Sequence, residues 1–495
     1  MAGEITKLLV AWDRTARDAR ASDGLRIALN GLAGTGKSYT LACVVRALAA
    51  AGVPYALLCP TWLAATALDA QLAAAGVASG NTVTLHTYFG VAVYHGTARC
   101  TWSPDNDPHD HISRIDAPSV LIIDEASMVC ADDWRCIFMS TLETASRVAS
   151  GGAYGAHAHA ILVSGDTHQL PPVGGNPSSS LLAEITREAA AGAAGVRAFE
   201  LRDNYRARSD PAYAAMLAII ADGRPMTAVQ AQVHTATGPD DPRLVAPSTC
   251  YVAPTNRVVG RLNRAYVTKH GGDTVSHFPT LYMVGHAVGA SARLLGATLE
   301  CRRTMPEEVV LCVGAPVEYQ RIGGGHAELW NGRRGVVQGI RTTTGHCYGT
   351  VCPDGGSVAG VSVAFPAVGP RNPALCVHMP YVVRTMYWHT DGRAATCHVP
   401  LRCAAAGTVH GVQGITIANG VCVYVARSAK LADAAPGEVY VALSRTTRGD
   451  QTLIVPWVGH LRRFLARCDP PAVLHSDINV NGADDSDAML ERGRR

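Results

Sequence analysis

Residues 31–38 read Gly-Leu-Ala-Gly-Thr-Gly-Lys-Ser and directly follow the apolar stretch Leu25-Arg-Ile-Ala-Leu-Asn30. Few segments constrain a fold as tightly. The spacing of Gly31, Gly36, Lys37 and Ser38 is that of a loop joining a buried strand to a helix. Its glycines let successive backbone N–H groups converge on an anion, which bulkier side chains would block. The helix that follows aims its positive end at the same point. The chain has only four lysines, Lys7, Lys37, Lys269 and Lys430, and one of them falls where a phosphate needs an ammonium. Gly31, Gly34, Thr35, Gly36, Lys37 and Ser38 are therefore the candidate nucleotide-phosphate site.

Composition sets the frame for that loop. At 495 residues the chain exceeds one ordinary core, so two to four domains are expected. A hydrophobic content of 48% with 17% charged residues describes a folded protein. No run of ~18 apolar residues suggests a membrane span, and the N-terminus, with Glu4, Asp13 and Asp18, lacks a signal-like apolar core. The 15 cysteines are odd in number, scattered and without a C-x-x-C pair, which suits reduced thiols. Together these readings give the expectation of a soluble intracellular protein without a membrane partner; nucleus and cytoplasm are not distinguished. The net charge of +3 permits a nucleic-acid partner without requiring one.

The periodicity beyond the loop predicts an α/β protein. Leu41, Val44, Val45 and Leu48 fall on one helical face, closed by Gly52. Tyr55 to Cys59 reads as a strand, and residues 62–75 as an alanine-rich helix. The continuous apolar runs Val120 to Ile123 and Ile161 to Val163 suit strands covered on both faces. Strands alternating with helices to about residue 200 predict one doubly wound domain. A second set of such strands, Cys250 to Ala253, Val421 to Val425 and Leu453 to Val455, predicts another. Between about 300 and 394 the pattern changes to short alternating segments with glycine turns, including Ala315–Tyr319, Gly335–Ile340 and Val382–Trp388. That stretch predicts a small β-barrel-like insertion. The expected division is a first domain over 1–200 with a loop-rich excursion at about 91–117. A second domain covers 201–299 and 395–465, with the insertion at 300–394. A polar, disordered tail follows over 466–495.

Several further segments carry chemistry. Leu121-Ile-Ile-Asp-Glu-Ala-Ser-Met128 is an apolar strand ending in two acids. With Ser38 as a hydroxyl ligand, Asp124 can hold Mg²⁺, and Glu125 can deprotonate an attacking water. Gln169, in Gly165-Asp-Thr-His-Gln-Leu-Pro-Pro172, can bond both a terminal phosphate and that water. Arg206 and Arg445 lie outside the first domain, and a guanidinium from a second domain can neutralise charge on a transferred phosphoryl group. Thr61, His86, Thr408 and His410 end strands or open helices and suit contact with a nucleic-acid backbone. His109-Asp-His111 and His157-Ala-His159 lack companions at metal-binding spacing and read as an exposed loop and a strand approach.

Taken in chain order, these motifs resemble those of superfamily 1B helicases, in particular the PIF (petite integration frequency) family and its RecD-like relatives. The segments that carry the likeness are Gly31–Ser38, Cys59-Pro-Thr61, Thr84–Gly90, Ile122–Met128, Gly165–Val173, Asn204-Tyr-Arg206, Thr408–Thr416 and Tyr440–Arg445. Leu329-Trp-Asn-Gly-Arg-Arg-Gly335 is similar to that family's entry into a barrel insertion. The resemblance implies two RecA-like domains with a small SH3-like barrel in the second, and ATP and Mg²⁺ in the cleft between the domains. It implies 5′-to-3′ translocation on single-stranded DNA and unwinding of duplex in replication, repair or recombination. Single-stranded DNA and single-strand/duplex junctions would be the substrates, with replication or repair proteins as partners. It also implies that Lys37, Glu125, Gln169, Arg206 and Arg445 carry hydrolysis, that Ser38 and Asp124 bind the metal, and that Thr61, His86, Thr408 and His410 touch DNA. One departure concerns the base: the first Gln in the chain is Gln71, so no Gln precedes the phosphate loop. A helicase-like scaffold subunit and an RNA-directed P-loop ATPase are the alternatives. The intact set of hydrolytic residues speaks against the first.

Overall fold

The computed structural model describes residues 1–16, 24–77, 82–94, 97–100, 119–149, 159–172, 175, 177–223, 234–235, 249–286, 308–320, 329–342, 347–349, 359–367, 373–389, 392–417, 420–426 and 436–456. Most of the 91–117 excursion, with His109 and His111, lies outside these residues, as do His157 and the 466–495 tail. The excursion's described part is an antiparallel hairpin of Val91–Tyr94 and Thr97–Cys100.

A parallel sheet organises the first 200 residues. Its strands lie in the spatial order Thr82–Thr84, Tyr55–Cys59, Val120–Ile123, Ala160–Gly165, Arg26–Gly31 and Val196–Leu201. Every residue of Val120–Ile123 and of Ala160–Gly165 is buried, because helices cover both faces. Alternate residues of each strand serve opposite cores. Ile27, Leu29, Ile122 and Leu162 pack with Ile5, Leu9, Leu41, Val44, Leu68 and Leu72 of the helices Ala2–Ala16, Lys37–Ala50 and Trp62–Ala74. Ala28, Leu121, Ile123 and Val163 pack with Phe138, Leu142, Leu182 and Ile185 on the other face.

A second parallel sheet runs Ala406–Thr408, Thr249–Ala253, Val421–Ala426, Thr452–Pro456, His234–Thr235. The same alternation recurs. Val252, Cys422 and Tyr424 face the helices Pro211–Ala221 and Pro436–Leu443 through Met216, Leu217, Val439 and Leu443. Tyr251, Ala253, Val423 and Val425 face the helix Asn256–Gly271 through Leu262, Ala265 and Tyr266.

Antiparallel strands occur from Ser276 to Cys403. One sheet orders Leu375–Pro380, Gly360–Phe365, Arg334–Arg341, Pro316–Tyr319 and Leu401–Cys403, with Cys347–Gly349 paired to Arg334–Arg341. Val317, Val337, Val361 and Phe365 share a core with the second parallel sheet. Arg333 is a buried strut of this unit. Its guanidinium lies 4.6 Å from the Trp330 ring and 5.5 Å from Phe365, and donates to the carbonyls of Pro366 and Pro373 at 3.2 and 2.7 Å. Among the described residues no helix is long and apolar enough to cross a membrane.

Candidate active site between the two sheets

The phosphate loop leaves the central strand Arg26–Gly31 at its C-terminal end. Open parallel sheets bind ligands there, because the loops that follow the strands diverge. Gly34 and Gly36 both have positive φ, 85° and 90°, and Gly36 opens the helix Lys37–Ala50 with no side-chain cap. The first helical N–H groups are therefore left for an anion. Lys37 is buried, and its Nζ donates to the carbonyls of Gly31 at 2.8 Å and Leu32 at 3.1 Å. An ammonium has three donors, so one remains for an incoming oxygen. Gly31 and Thr35 shape the loop. The Thr35 hydroxyl donates to Leu32 O at 2.8 Å, and a Cβ at 31 would lie 2.6 Å from it.

Asp124 and Glu125 leave the next-but-one strand. Burial, followed by the neighbouring Glu125 charge, raises the Asp124 carboxyl to about 6, and Lys37 eases that effect. A buried carboxylate held this way gains from a cation beside it. Glu125 has φ 54°, the one positive value outside glycine among the described residues. Such backbone costs of order 1–3 kcal/mol and is held only where its surroundings over-determine it. The turn sends Glu125 towards the second sheet, where a Cβ at Gly414 would lie 3.6 Å from its Oε1. Gln169 is buried and its Nε2 lies 3.4 Å from Asp166 Oδ2.

The two arginines arrive from the opposite side. Arg206 Nη1 donates to Ser444 O at 3.0 Å. Arg445 donates from Nε to Val441 O at 2.8 Å, from Nη1 to Ile415 O at 3.1 Å and from Nη2 to Ser444 Oγ at 2.8 Å. All these acceptors are carbonyl or hydroxyl oxygens. Burial, then repulsion from Arg445, lowers Arg206 to about 10, and burial lowers Arg445 as well. Two guanidiniums are thus desolvated side by side and repel each other.

A cavity of about 220 Å³ joins these groups; Lys37, Ser38, Asp124, Glu125, Gln169, Arg206 and Arg445 all line it. Buried polar atoms collect around it. Of the lining residues, Glu125 Oε2 and Gln169 Oε1 have no hydrogen-bond partner among the described residues. Each such orphan costs about 1–3 kcal/mol, so the arrangement suits a polar, anionic ligand. Ser38 and Asp124, a hydroxyl and a carboxylate, are the donor pair that Mg²⁺ prefers.

The proposed DNA contacts sit elsewhere on the same sheet ends. Thr61 caps the helix Trp62–Ala74, accepting from Ala64 N at 3.2 Å. Thr408 ends the strand Ala406–Thr408 and accepts from Gly411 N at 3.0 Å. His410 opens the short turn that leads to Gly414. Gly414 and Ala64 are neighbours across the lobes, since a Cβ at 414 would lie 3.8 Å from Ala64. His86 follows the edge strand and packs edge-on against Phe138 at 5.7 Å, and burial lowers its pKa.

Some residues at the site had no sequence signal of their own. Tyr39 lines the cavity and is 69% exposed, and Gln71 lines it from the helix Trp62–Ala74. Tyr205 is half-exposed, with the Arg208 guanidinium 4.5 Å over its ring, and stands beside Gly36. Aromatic residues flanking Lys37 and Arg206 are the only trace they leave in the sequence. Tyr440 and Asp166 bond across the lobes at 2.7 Å.

Fold and site together define a two-lobed phosphate-loop protein with a polar cavity at the seam. Residues 13–237 match a family model described as an AAA domain. The chain as a whole is similar to solved Pif1 helicases. One, from work on DNA unwinding at forked duplex by two coordinating Pif1 helicases, is 17% identical with a TM-score of 0.58, covering 90% of each chain. The Pif1 helicase from Candida albicans is 18% identical with a TM-score of 0.55, covering 92% of this chain and 97% of that one. The Bacteroides Pif1 helicase in complex with ADP-AlF3 and single-stranded DNA is 16% identical with a TM-score of 0.52, covering 98% and 96%. No curated protein matches in sequence. The chain has the Pif1 helicase fold, and the resemblance read from its motifs is borne out.

Proposed function

We propose that the protein is an ATP-driven DNA helicase that moves 5′ to 3′ along single-stranded DNA and opens duplex ahead of it, in replication, repair or recombination. The observation that carries this reading is the convergence of Lys37, Arg206 and Arg445 with the strand-end pair Asp124–Glu125 on one cavity between two parallel sheets. Cations gathered from three places in the chain, each hydrogen-bonded to neutral oxygens, suit a triphosphate.

Lys37 binds the β- and γ-phosphates, helped by the N–H groups that open its helix. Ser38 and Asp124 would hold Mg²⁺, which when bound neutralises phosphate charge. Glu125 takes a proton from water as its oxygen attacks the γ-phosphorus, and the bond to the β-phosphate oxygen breaks to leave ADP and phosphate. Gln169 orients that water. Arg206 and Arg445 stabilise charge on the transferred group. The exposed rings of Tyr39 and Tyr205 suit contact with the ribose and base. The likeness to Pif1 helicases that bind forked and single-stranded DNA supports DNA, with its junctions, as the track. Thr61, His86, Thr408 and His410 are our candidate contacts, and replication or repair proteins our candidate partners. We divide the chain into lobes at about residue 200 and read the antiparallel unit as the SH3-like insertion. Closure on ATP and reopening after hydrolysis then alternate the grip on the strand.

ATP hydrolysis by wild type and Lys37→Ala, with and without single-stranded DNA, tests the reading. Strong stimulation by DNA in the wild type and near-zero turnover in the variant are expected. Equal rates with and without DNA, or stimulation by RNA alone, would replace it with another P-loop ATPase, and an inactive wild type with a scaffold. Forks carrying only a 5′ or only a 3′ tail test the direction.

A further inference from the structure

A buried phenol lies where the lobes meet. Tyr440 belongs to the helix Pro436–Leu443, five residues before Arg445, and is 1% exposed. Its hydroxyl accepts from the backbone N–H of Ala33 at 2.7 Å and donates to Asp166 Oδ2 at 2.7 Å. Ala33 lies within the phosphate loop, and Asp166 follows the strand Ala160–Gly165. The other oxygen of Asp166 is fixed by the backbone N–H of His168 at 3.0 Å and faces the His168 ring at 3.2 Å. On its far side the Ala33 carbonyl accepts from Asn204 Nδ2 at 3.2 Å, two residues before Arg206. One residue of the phosphate loop is therefore held from both sides by the segments that bring the two arginines.

We propose that Tyr440 is a positioning residue whose hydroxyl, bridging the Ala33 amide and Asp166, keeps the helix that carries Arg445 in register with the phosphate loop. The inference rests on the hydrolytic reading of the cavity and adds how the second lobe is set against it. Lys37 and the helix N–H groups bind the nucleotide without Tyr440. Arg445 acts on charge that develops as the phosphoryl group transfers. Loss of the bridge should then lower kcat and leave KM nearly unchanged, the pattern of an interaction made only in the transition state.

The test is steady-state ATP turnover, with saturating single-stranded DNA, by the full chain as wild type, Tyr440→Phe, Asp166→Asn and the double variant. Binding of a fluorescent ADP analogue reports whether each folds. Tyr440→Phe and Asp166→Asn should each lower kcat about tenfold or more with KM within threefold. The double variant should be no slower than the worse single, because Tyr440→Phe already removes the bond to Asp166 that Asp166→Asn weakens. If Tyr440→Phe fails to fold, Asp166→Asn carries the same comparison from the other end. A kcat within twofold of wild type, a loss confined to KM, or additive losses would overturn the proposal. A merely structural role would lower the melting temperature and leave kcat intact. No turnover in the wild type would instead remove the hydrolytic reading beneath it.

Discussion

Gly34 is where the phosphate loop and the Arg206 segment touch, and its replacement by alanine separates two physical effects. Its φ is 85°, and an added Cβ would lie 2.5 Å from Arg206 Cβ and 2.7 Å from Asn204 Oδ1. Its carbonyl already accepts from the N–H groups of Tyr205 at 2.8 Å and Arg206 at 3.2 Å, so neither segment can retreat without losing these bonds. Gly52 has φ 67° with nothing within 4 Å of an added Cβ, and is the control. Left-handed backbone costs alanine about 1 kcal/mol relative to glycine at either position. The collision at 34 adds about 1–3 kcal/mol of overpacking strain. Gly34→Ala should lose about 2–4 kcal/mol in urea unfolding, and Gly52→Ala about 1 kcal/mol. Arg206 is displaced only in the first, and a misplacement near 1 Å costs about 100-fold in rate. Gly34→Ala should therefore lose turnover on that scale, while Gly52→Ala matches wild type. Equal destabilisation of the two variants, or full turnover by Gly34→Ala, would refute the argument.

Arg445→Lys should lower kcat by about 100-fold or more with little change in KM, because one ammonium cannot reproduce three directed donors and still face a phosphate; turnover kinetics check it, and a tenfold or smaller loss counts against the role. Tyr213 donates to Leu443 O at 2.6 Å and meets the hydroxyls of Thr446 and Thr452 at 2.9 Å, so Tyr213→Phe should cost about 1–3 kcal/mol in urea unfolding. His159 is buried between Ser119 and the Ser146 hydroxyl, and burial lowers its pKa from 6.5 to about 4. It is neutral in the fold and protonates more readily once unfolded. Its contribution is present above about pH 6.5 and falls as the pH drops towards 4, by up to about 3 kcal/mol. His159→Gln should flatten that loss in urea midpoints measured from pH 7.5 to 4.5, and an unchanged slope would exclude His159 as its source.

The parts of this site that can be read from the sequence are those whose chemistry is local. Gly34 and Gly36 must be glycine because of their own backbone angles, and Lys37 and Ser38 follow at the only spacing that opens a helix there. Asp124 and Glu125 end a strand whose four apolar residues are buried on both faces, so periodicity places them at the sheet's ligand edge. The antiparallel unit is less legible at its margins. Ser276–Pro279 pairs with Glu308–Leu311, and Leu281–His286 with Gly392–His398. A strand whose partner lies a hundred residues away shows no hairpin signal.

Tyr440 is the extreme case. Its partners Ala33 and Asp166 are 407 and 274 residues away, and nothing near it in the chain announces either bond. Arg445 is different in kind. Any single arginine is more often a surface ion pair, and the sequence alone offers no carboxylate to rule in or out. What surrounds the guanidinium in the fold bears on the proposal. A structural arginine buried beside Arg206 would need a carboxylate to offset the repulsion. Here the hydrogen bonds of both go to neutral oxygens, while Glu125 faces the same cavity with one carboxylate oxygen unpartnered among the described residues. Positive charge held so close to a carboxylate, yet bonded elsewhere, is poised for an anion that enters between them. It is this geometry, and not the count of charges, that favours the proposed nucleotide-hydrolysing seam over an ordinary interface between two domains.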